Sequence, residues 1–269
     1  MISTLAGLLR AARQSVQARP FHEVEWLFAV VLKLSRAELY LRADRIVEAE
    51  ERKEIAEGIE RLSRGEPLSY ILGRAHFYAN EYIVTPDVLI PRPETELLVE
   101  KVACWMKNRP VGSLVDLCTG SGCVGISLKK LFPAWHVILI DISYKALDVA
   151  RCNARGLEIE LLQGDLLEPL KERRVDALVC NPPYLSIEEA EVLDGFEPRI
   201  ALEAGETGLE IYQRIFEQLP AHMGDGSGVF FEIGAMQKDA IMEMAKRSYE
   251  DVISYKDLSG RDRIVSFVC

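Results

Sequence analysis

The sequence contains 269 residues, of which 49% are hydrophobic and 28% charged, and its formal net charge is −10. This composition is typical of a folded globular protein and excludes disordered and fibrous classes. No apolar stretch approaches the roughly 20 residues of a membrane-spanning helix, and arginines interrupt the apolar N-terminus, which argues against a signal peptide. We therefore expect a cytoplasmic monomer of two domains, with no membrane partner.

The sequence also argues against a metal-binding protein and a DNA-binding protein. The six cysteines form no Cys-x-x-Cys pair and the four histidines lie far apart, so we expect reduced thiols and no bound metal. The first 75 residues carry 12 basic against 11 acidic side chains, whereas the rest carry 20 against 31. Nucleic-acid binders usually concentrate basic residues, so we expect no direct DNA binding.

Residues 1–75 predict a small helical bundle. Apolar residues recur there at steps of three and four. Ser35 and Glu38 form a capping-box pattern that opens a short helix, and Gly65 followed by Pro67 predicts the end of the last helix. We interpret this bundle as a separate domain that docks a protein substrate.

Residues 76–84 combine aromatic and β-branched residues around an Asn-containing turn, which predicts a β-hairpin within a linker over 76–90. From 91 to 269, short apolar runs alternate with helical stretches. This alternation is typical of a doubly wound α/β domain, with a parallel sheet covered on both faces. The predicted strands are Ser113–Leu117, Val137–Ile140, Ile159–Leu162, Val175–Cys180, Val229–Ile233 and Ile264–Val268.

A glycine-rich turn follows the first of these strands. Gly120, Gly122 and Gly125 satisfy the G-x-G-x-x-G pattern, and Asp141 ends the next strand. Such a turn lets the backbone approach a nucleotide cofactor, and the acidic residue suits a ribose diol. NAD and S-adenosyl-L-methionine both carry that diol, so the pattern alone leaves both cofactors open.

The fourth strand runs directly into Asn-Pro-Pro-Tyr at residues 181–184. Two prolines make a rigid turn rich in hydrogen-bond acceptors, at the sheet edge where ligands bind. The Asn181 side-chain oxygen and a neighbouring carbonyl can accept hydrogen bonds from a planar NH2 group, on which the Tyr184 ring can stack. A nicotinamide enzyme has no evident use for this site, and a non-catalytic binding protein would leave it unexplained.

Further segments, together with Asn-Pro-Pro-Tyr, carry a resemblance to a known family. They are Leu89–Glu96, Glu197-Pro198, Ala201-Leu202, Gly208-Leu209, Tyr212, Glu232–Gly234 and Asp257–Arg263. Together with Asn-Pro-Pro-Tyr, they resemble the HemK/PrmC family of protein-(glutamine N5) methyltransferases over nearly the full chain. The resemblance implies an α/β protein with a seven-stranded Rossmann-like methyltransferase domain, preceded by a helical bundle and a hairpin linker. It also implies methylation of the Gly-Gly-Gln glutamine in class-1 peptide chain release factors.

The same resemblance implies roles for individual residues. The methionine part of S-adenosyl-L-methionine would lie beside Cys118, Thr119, Gly120, Ser121 and Gly122. Asp141 would bind the ribose, and Asp165 and Leu166 would flank the adenine. Asn181, itself also beside the cofactor, would hold the substrate together with Pro182, Pro183 and Tyr184. We assign catalysis to Asn181, the Pro182 carbonyl and Tyr184.

Two positions depart from the family pattern. Cys118 stands where the glycine loop commonly has its first glycine, and Ala79-Asn80 replaces the glycine usual in the hairpin. From the cysteine we expect that position 118 does not need a positive φ. The competing function is methylation of an adenine N6 amine in nucleic acid. That amine is also planar, but the acidic charge of residues 76–269 disfavours a phosphate-binding track.

Overall fold

The computed structural model describes residues 4–17, 19–193 and 195–269. The chain divides into two compact units, one up to Arg74 and one from Ala75 onward. Within the described ranges, no helix is long and apolar enough to cross a membrane.

The first unit is helical, as its apolar periodicity predicts. Its helices are α1 (Leu5–Ser15), α2 (Phe21–Leu32), α3 (Arg36–Leu41), α4 (Ala49–Ser63) and α5 (Leu68–Leu72). They enclose a core that includes Leu5, Leu27, Phe28, Leu39 and Leu62.

The helix-end predictions for this unit were partly correct. Ser35 caps α3, and the reciprocal capping box with Glu38 is present. Gly65, at φ 92°, follows the end of α4. Pro67, however, is the N-cap of α5, so the helix that ends before Gly65 is not the last one, contrary to the prediction. Proline is tolerated at a helix start because the first backbone N–H groups have no intrahelical acceptor.

A tight hairpin follows, built from β1 (Arg74–Phe77) and β2 (Asn80–Ile83). Its turn residues are Tyr78 and Ala79, both left-handed at φ 47° and 58°. Asn80 starts β2 instead of lying in the turn, but its Nδ2 donates to the Tyr78 carbonyl at 2.8 Å. Phe77 and Tyr82 are buried in the core of the second unit. The hairpin is therefore packed into that unit.

The second unit is built on a seven-stranded sheet. Its strands are β3 (Ser113–Leu117), β4 (His136–Asp141), β5 (Ile159–Gln163), β6 (Val175–Cys180), β9 (Met223–Glu232), β10 (Glu250–Lys256) and β11 (Asp262–Val268). Their order across the sheet is β10-β11-β9-β6-β3-β4-β5. Two short strands, β7 (Leu185–Ser186) and β8 (Glu203–Gly205), pair separately. The predicted seven-stranded Rossmann-like class is confirmed.

The sheet is parallel, as predicted, except at one edge. Strands β5, β4, β3, β6 and β9 are parallel, but β11 runs antiparallel to β9, and β10 antiparallel to β11. A short connection of a few residues joins β10 to β11, and only antiparallel neighbours can be joined that way.

Helices cover both faces of the sheet, as predicted. They are α6 (Glu96–Met106), α7 (Cys123–Leu131), α8 (Tyr144–Asn153), α10 (Glu210–His222) and α11 (Lys238–Lys246), whereas the short helix α9 (Ile187–Glu191) packs against β7 and β8. Apolar residues of α6, α7 and α8 belong to one hydrophobic cluster, and those of α10 and α11 to the other. This layering places the carboxyl ends of β3, β4, β5 and β6 together at one edge.

Candidate active site

The buried Asp116 side chain holds the glycine loop through hydrogen bonds. Its carboxylate is 2% exposed, and Oδ2 accepts hydrogen bonds from Thr119 Oγ1 at 2.6 Å and from the Gly125 N–H at 2.8 Å. Burial raises the pKa of Asp116 to about 7, although these two hydrogen bonds oppose the rise. A Cβ at Gly125 would lie 2.4 Å from Leu139 Cδ2. The loop, helix α7 and β4 are thus packed too closely for a side chain there.

Cys118 is left-handed, at φ 57°, so the expectation that this position needs no positive φ was wrong. That conformation costs a side-chain-bearing residue about 1–2 kcal/mol. The loop tolerates the cost because hydrogen bonds fix both sides of the next residue. The Thr119 N–H donates to the Ile140 carbonyl at 3.1 Å, and the Thr119 carbonyl accepts from the Gly122 N–H at 2.9 Å.

Asp141, the last residue of β4, joins the glycine loop to the start of α8. One carboxylate oxygen accepts from the Gly120 N–H and the other from the Ser143 N–H, each at 2.9 Å. Burial raises the pKa of Asp141, and the backbone donors oppose the rise. At Gly120, with φ +54°, a Cβ would meet no atom within 4 Å. The loop backbone is therefore open on that side.

The loop and the strand ends surround a cavity. Nine of the predicted site residues line it, namely Cys118, Thr119, Gly120, Ser121, Asp141, Asp165, Leu166, Asn181 and Pro183. Three others lie outside its wall: Gly122 caps α7, Pro182 is buried, and Tyr184 packs against the hydrophobic core. The stacking role of Tyr184 stays a prediction.

Asn181 contacts a residue that the sequence analysis did not single out. Its Nδ2 donates to Thr95 Oγ1 at 3.4 Å, and the Thr95 side chain is 3% exposed. Thr95 also lines the cavity. It belongs to the Leu89–Glu96 segment, whose resemblance to the family was the available signal, although no role was assigned to it.

A second pair without an assigned role connects two segments that line the cavity. Glu197 forms an ion pair with Arg92 and accepts from the Ile90 N–H at 3.2 Å. Arg92 lines the cavity, and so do Ile200 and Ala201, which follow shortly after Glu197 in sequence. The pair therefore links segments more than 100 residues apart in sequence.

Gln237 holds the backbone at the end of the Asn-Pro-Pro-Tyr turn. Its Nε2 donates to the Tyr184 carbonyl at 2.8 Å and to the Gly208 carbonyl at 3.0 Å, while its Oε1 accepts from the Gly234 N–H at 3.0 Å. A Cβ at Gly208 would lie 2.5 Å from the Tyr184 oxygen. The turn is consequently fixed from two directions.

Two protein families match separate parts of the chain. The PrmC N-terminal domain matches residues 7–73, and the Methyltransferase small domain matches residues 93–195. The structure also resembles the crystal structure of a methyltransferase from Pyrococcus furiosus, with a TM-score of 0.54 and 14% identity. That match covers 82% of this chain and 98% of the other. It supports the fold alone.

Curated relatives are similar over nearly the whole chain. The release factor glutamine methyltransferase of Geobacter sulfurreducens is 35% identical over 251 residues, covering 90% of this chain and 87% of the relative. The release factor glutamine methyltransferase of Enterococcus faecalis is 34% identical over 256 residues, covering 92% of each. Since these similarities extend through the helical unit, the hairpin and the sheet, the chain belongs to the release factor glutamine methyltransferase family.

Proposed function

We propose that this protein transfers a methyl group from S-adenosyl-L-methionine to the side-chain amide nitrogen of the glutamine in the Gly-Gly-Gln motif of class-1 release factors. The names of its relatives support the substrate class. The observation that carries the proposal is the Asn181 amide at the cavity wall, whose nitrogen donates to Thr95. Its oxygen is then the atom available to an acceptor amide.

The cavity fits a nucleoside cofactor. Gly120 is open where a side chain would stand, so the loop backbone can approach the cofactor closely. Backbone N–H groups of Gly120, Ser143 and Ile142 donate to the Asp141 carboxylate, which leaves one of its roughly four lone-pair sites for a ribose hydroxyl. The methionine part would lie along residues 118–122, and the adenine between Asp165 and Leu166.

An amide nitrogen is a poor nucleophile because its lone pair is delocalised into the carbonyl. Bound S-adenosyl-L-methionine would supply an electrophilic methyl group on a positively charged sulfur. Asn181 Oδ1 and the Pro182 carbonyl would accept hydrogen bonds from the glutamine NH2, which orients the nitrogen and stabilises the positive charge it develops. Each well-placed group of this kind is worth roughly 10²–10³ in rate. Tyr184 would stack on the amide plane.

The direct test is mass spectrometry of purified release factor after incubation with the protein and S-adenosyl-L-methionine. We expect one added methyl group on the Gly-Gly-Gln glutamine. Asn181→Ala should abolish turnover while changing cofactor affinity by no more than a few-fold, and the exposed Asn108→Ala is the matched control. Wild-type turnover by Asn181→Ala would refute the acceptor role. Methylation of an adenine oligonucleotide in place of the release factor would favour the competing substrate.

We further propose that the helical unit docks the release factor. The unit exposes apolar side chains on and after α3, including Tyr40, Leu41 at 83% exposure, and Ile46. A pocket sized for one amide offers little area, so affinity for a large partner must come from other surfaces. Such a substrate would place the enzyme in the cytoplasm.

Removal of residues 1–74 tests the docking role. The remaining unit should still bind S-adenosyl-L-methionine but methylate full-length release factor far less efficiently. A short Gly-Gly-Gln peptide should be used about equally poorly by both forms, because it cannot reach the docking surface. Unchanged kinetics on the full-length substrate would refute docking by this unit.

A further inference from the structure

Glu232 is a buried carboxyl group that the proposed chemistry does not use. It ends β9, is 2% exposed, and its Oε2 has no hydrogen-bond partner among the described residues. Buried polar atoms are rarely left without a partner, so this one calls for an explanation. The register of the sheet supplies its location. Cys180 of β6 pairs with Phe231 of β9, which brings Asn181 and Glu232 to the same level on adjacent parallel strands.

Thr95 connects the two side chains. Its hydroxyl faces the Glu232 carboxyl closely enough to lower the pKa of that group, and its oxygen accepts from Asn181 Nδ2. A threonine hydroxyl has one hydrogen to donate. When that hydrogen points at a carboxylate, Thr95 can only accept from Asn181, and the amide must turn its NH2 group inward. Asn181 Oδ1 is then the atom presented to the acceptor.

Without the Glu232 carboxylate, nothing would hold the Asn181 amide in this orientation. The Thr95 hydroxyl could then donate to the asparagine oxygen, and a flipped Asn181 amide would present its own NH2 to the substrate NH2. Two donors facing each other cannot hydrogen-bond, so the flipped form would be inactive. We propose that Thr95 and Glu232 are positioning residues, which hold the Asn181 amide with its oxygen toward the acceptor. This inference rests on the proposed function.

The charged groups around Glu232 leave its carboxyl free to accept the hydrogen of the Thr95 hydroxyl. Arg92 and Glu94 face it from the segment before α6, Tyr184 from the turn after β6, and Arg263 from β11. Arg263 is itself paired with Asp257 at 3.0 Å, so the carboxyl is not bound tightly by one cation.

Burial raises the pKa of Glu232 to about 7, although the nearby Thr95 hydroxyl and the charge of Arg263 oppose the rise. A protonated carboxyl could donate to Thr95 and release the threonine hydrogen toward Asn181. Activity should therefore fall as the pH drops below about 7.

Kinetics of three variants test the proposal. Thr95→Val, which removes the hydroxyl at nearly constant shape, should lower kcat at least tenfold with little change in cofactor affinity. Thr95→Ser keeps the hydroxyl and should retain most of kcat. Glu232→Gln replaces the carboxylate with a neutral amide that cannot titrate, so kcat at pH 8 should fall and the acidic decrease in kcat should disappear. Full kcat in Thr95→Val, equal losses in both threonine variants, or an acidic fall that persists in Glu232→Gln would each overturn the proposal.

A second readout needs no turnover and separates this inference from the proposed function. In 15N-labelled protein, the Asn181 side-chain NH2 signals, assigned by their loss in Asn181→Asp, should titrate near pH 7. Glu232→Gln should remove that titration, and Thr95→Val should shift the signals. If these NMR results hold while release factor is not methylated, the proposed function fails and the positioning network stands. Signals that ignore all three changes would refute the network.

Discussion

Replacing Asp141 with alanine separates two roles of one carboxylate, fixing the glycine loop and binding the cofactor ribose. The variant loses acceptors for the Gly120 and Ser143 N–H groups, which now lie 2.9 Å from the carboxylate oxygens. Hydrogen bonds to charged groups contribute about 1.5–3 kcal/mol each. The cost of burying the carboxylate, visible in its raised pKa, offsets part of this sum. We expect Asp141→Ala to lose about 2–3 kcal/mol of unfolding free energy, whereas Asp141→Asn, which keeps one acceptor, loses about half as much.

Urea denaturation without ligand measures the first role, and calorimetry with S-adenosylhomocysteine measures the second. The ribose contacts should contribute about 1.5–3 kcal/mol, so affinity should fall roughly ten- to a hundredfold in Asp141→Ala. Asp148→Ala is a matched control, since that exposed carboxylate lies on α8 and pairs with Arg151. Wild-type stability in Asp141→Ala would refute the loop argument. Wild-type affinity would remove Asp141 from the cofactor site.

Three further changes test the glycine loop. Gly125→Ala should cost about 1–3 kcal/mol by overpacking against Leu139, despite better helix propensity, and urea denaturation would show no loss if the loop can shift. Cys118→Gly should be more stable than Cys118→Ala by about 1 kcal/mol, because only glycine relieves the positive φ; thermal melts giving the reverse order would contradict this. Asp116, whose folded pKa is raised from 3.8 to about 7, stabilises the fold fully below pH 4 and loses that contribution as pH rises through 7. The stability of wild type relative to Asp116→Asn should therefore decrease between pH 5 and pH 8, and a pH-independent difference would argue against a raised pKa.

Much of the architecture could be predicted because buried parallel strands have continuous apolar runs. Strands β3 and β6 match their predicted bounds. Strand β10 was missed because it is an edge strand with Glu250, Asp251 and Lys256 among its apolar residues. The direction of β11 was also missed, since strand direction depends on tertiary pairing and leaves no mark on an apolar run.

Some residues of the candidate site could likewise be predicted from the sequence, and others could not. Asp141 and Asn181 could be found because each directly ends a recognisable strand, and such ends meet at one edge. Thr95 could not be placed beside Asn181, since 86 residues separate them and only the tertiary fold brings them together. The left-handed backbone of Cys118 was hidden because its usual signal, a glycine, is absent.

The position of β11 between β9 and β10 has a consequence for how the chain folds. Strand β9 carries the apolar run Val229, Phe230 and Phe231. Its neighbour in the sheet, β11, lies after β10 in the sequence and so is synthesised last. Until β11 inserts, one edge of β9 has its backbone groups unpaired, and such an edge can pair with another chain. Intermediates that lack β11 should therefore self-associate. Refolding yield should accordingly decrease with protein concentration, and more steeply in Gly260→Ala, which strains the φ 78° turn that leads into β11.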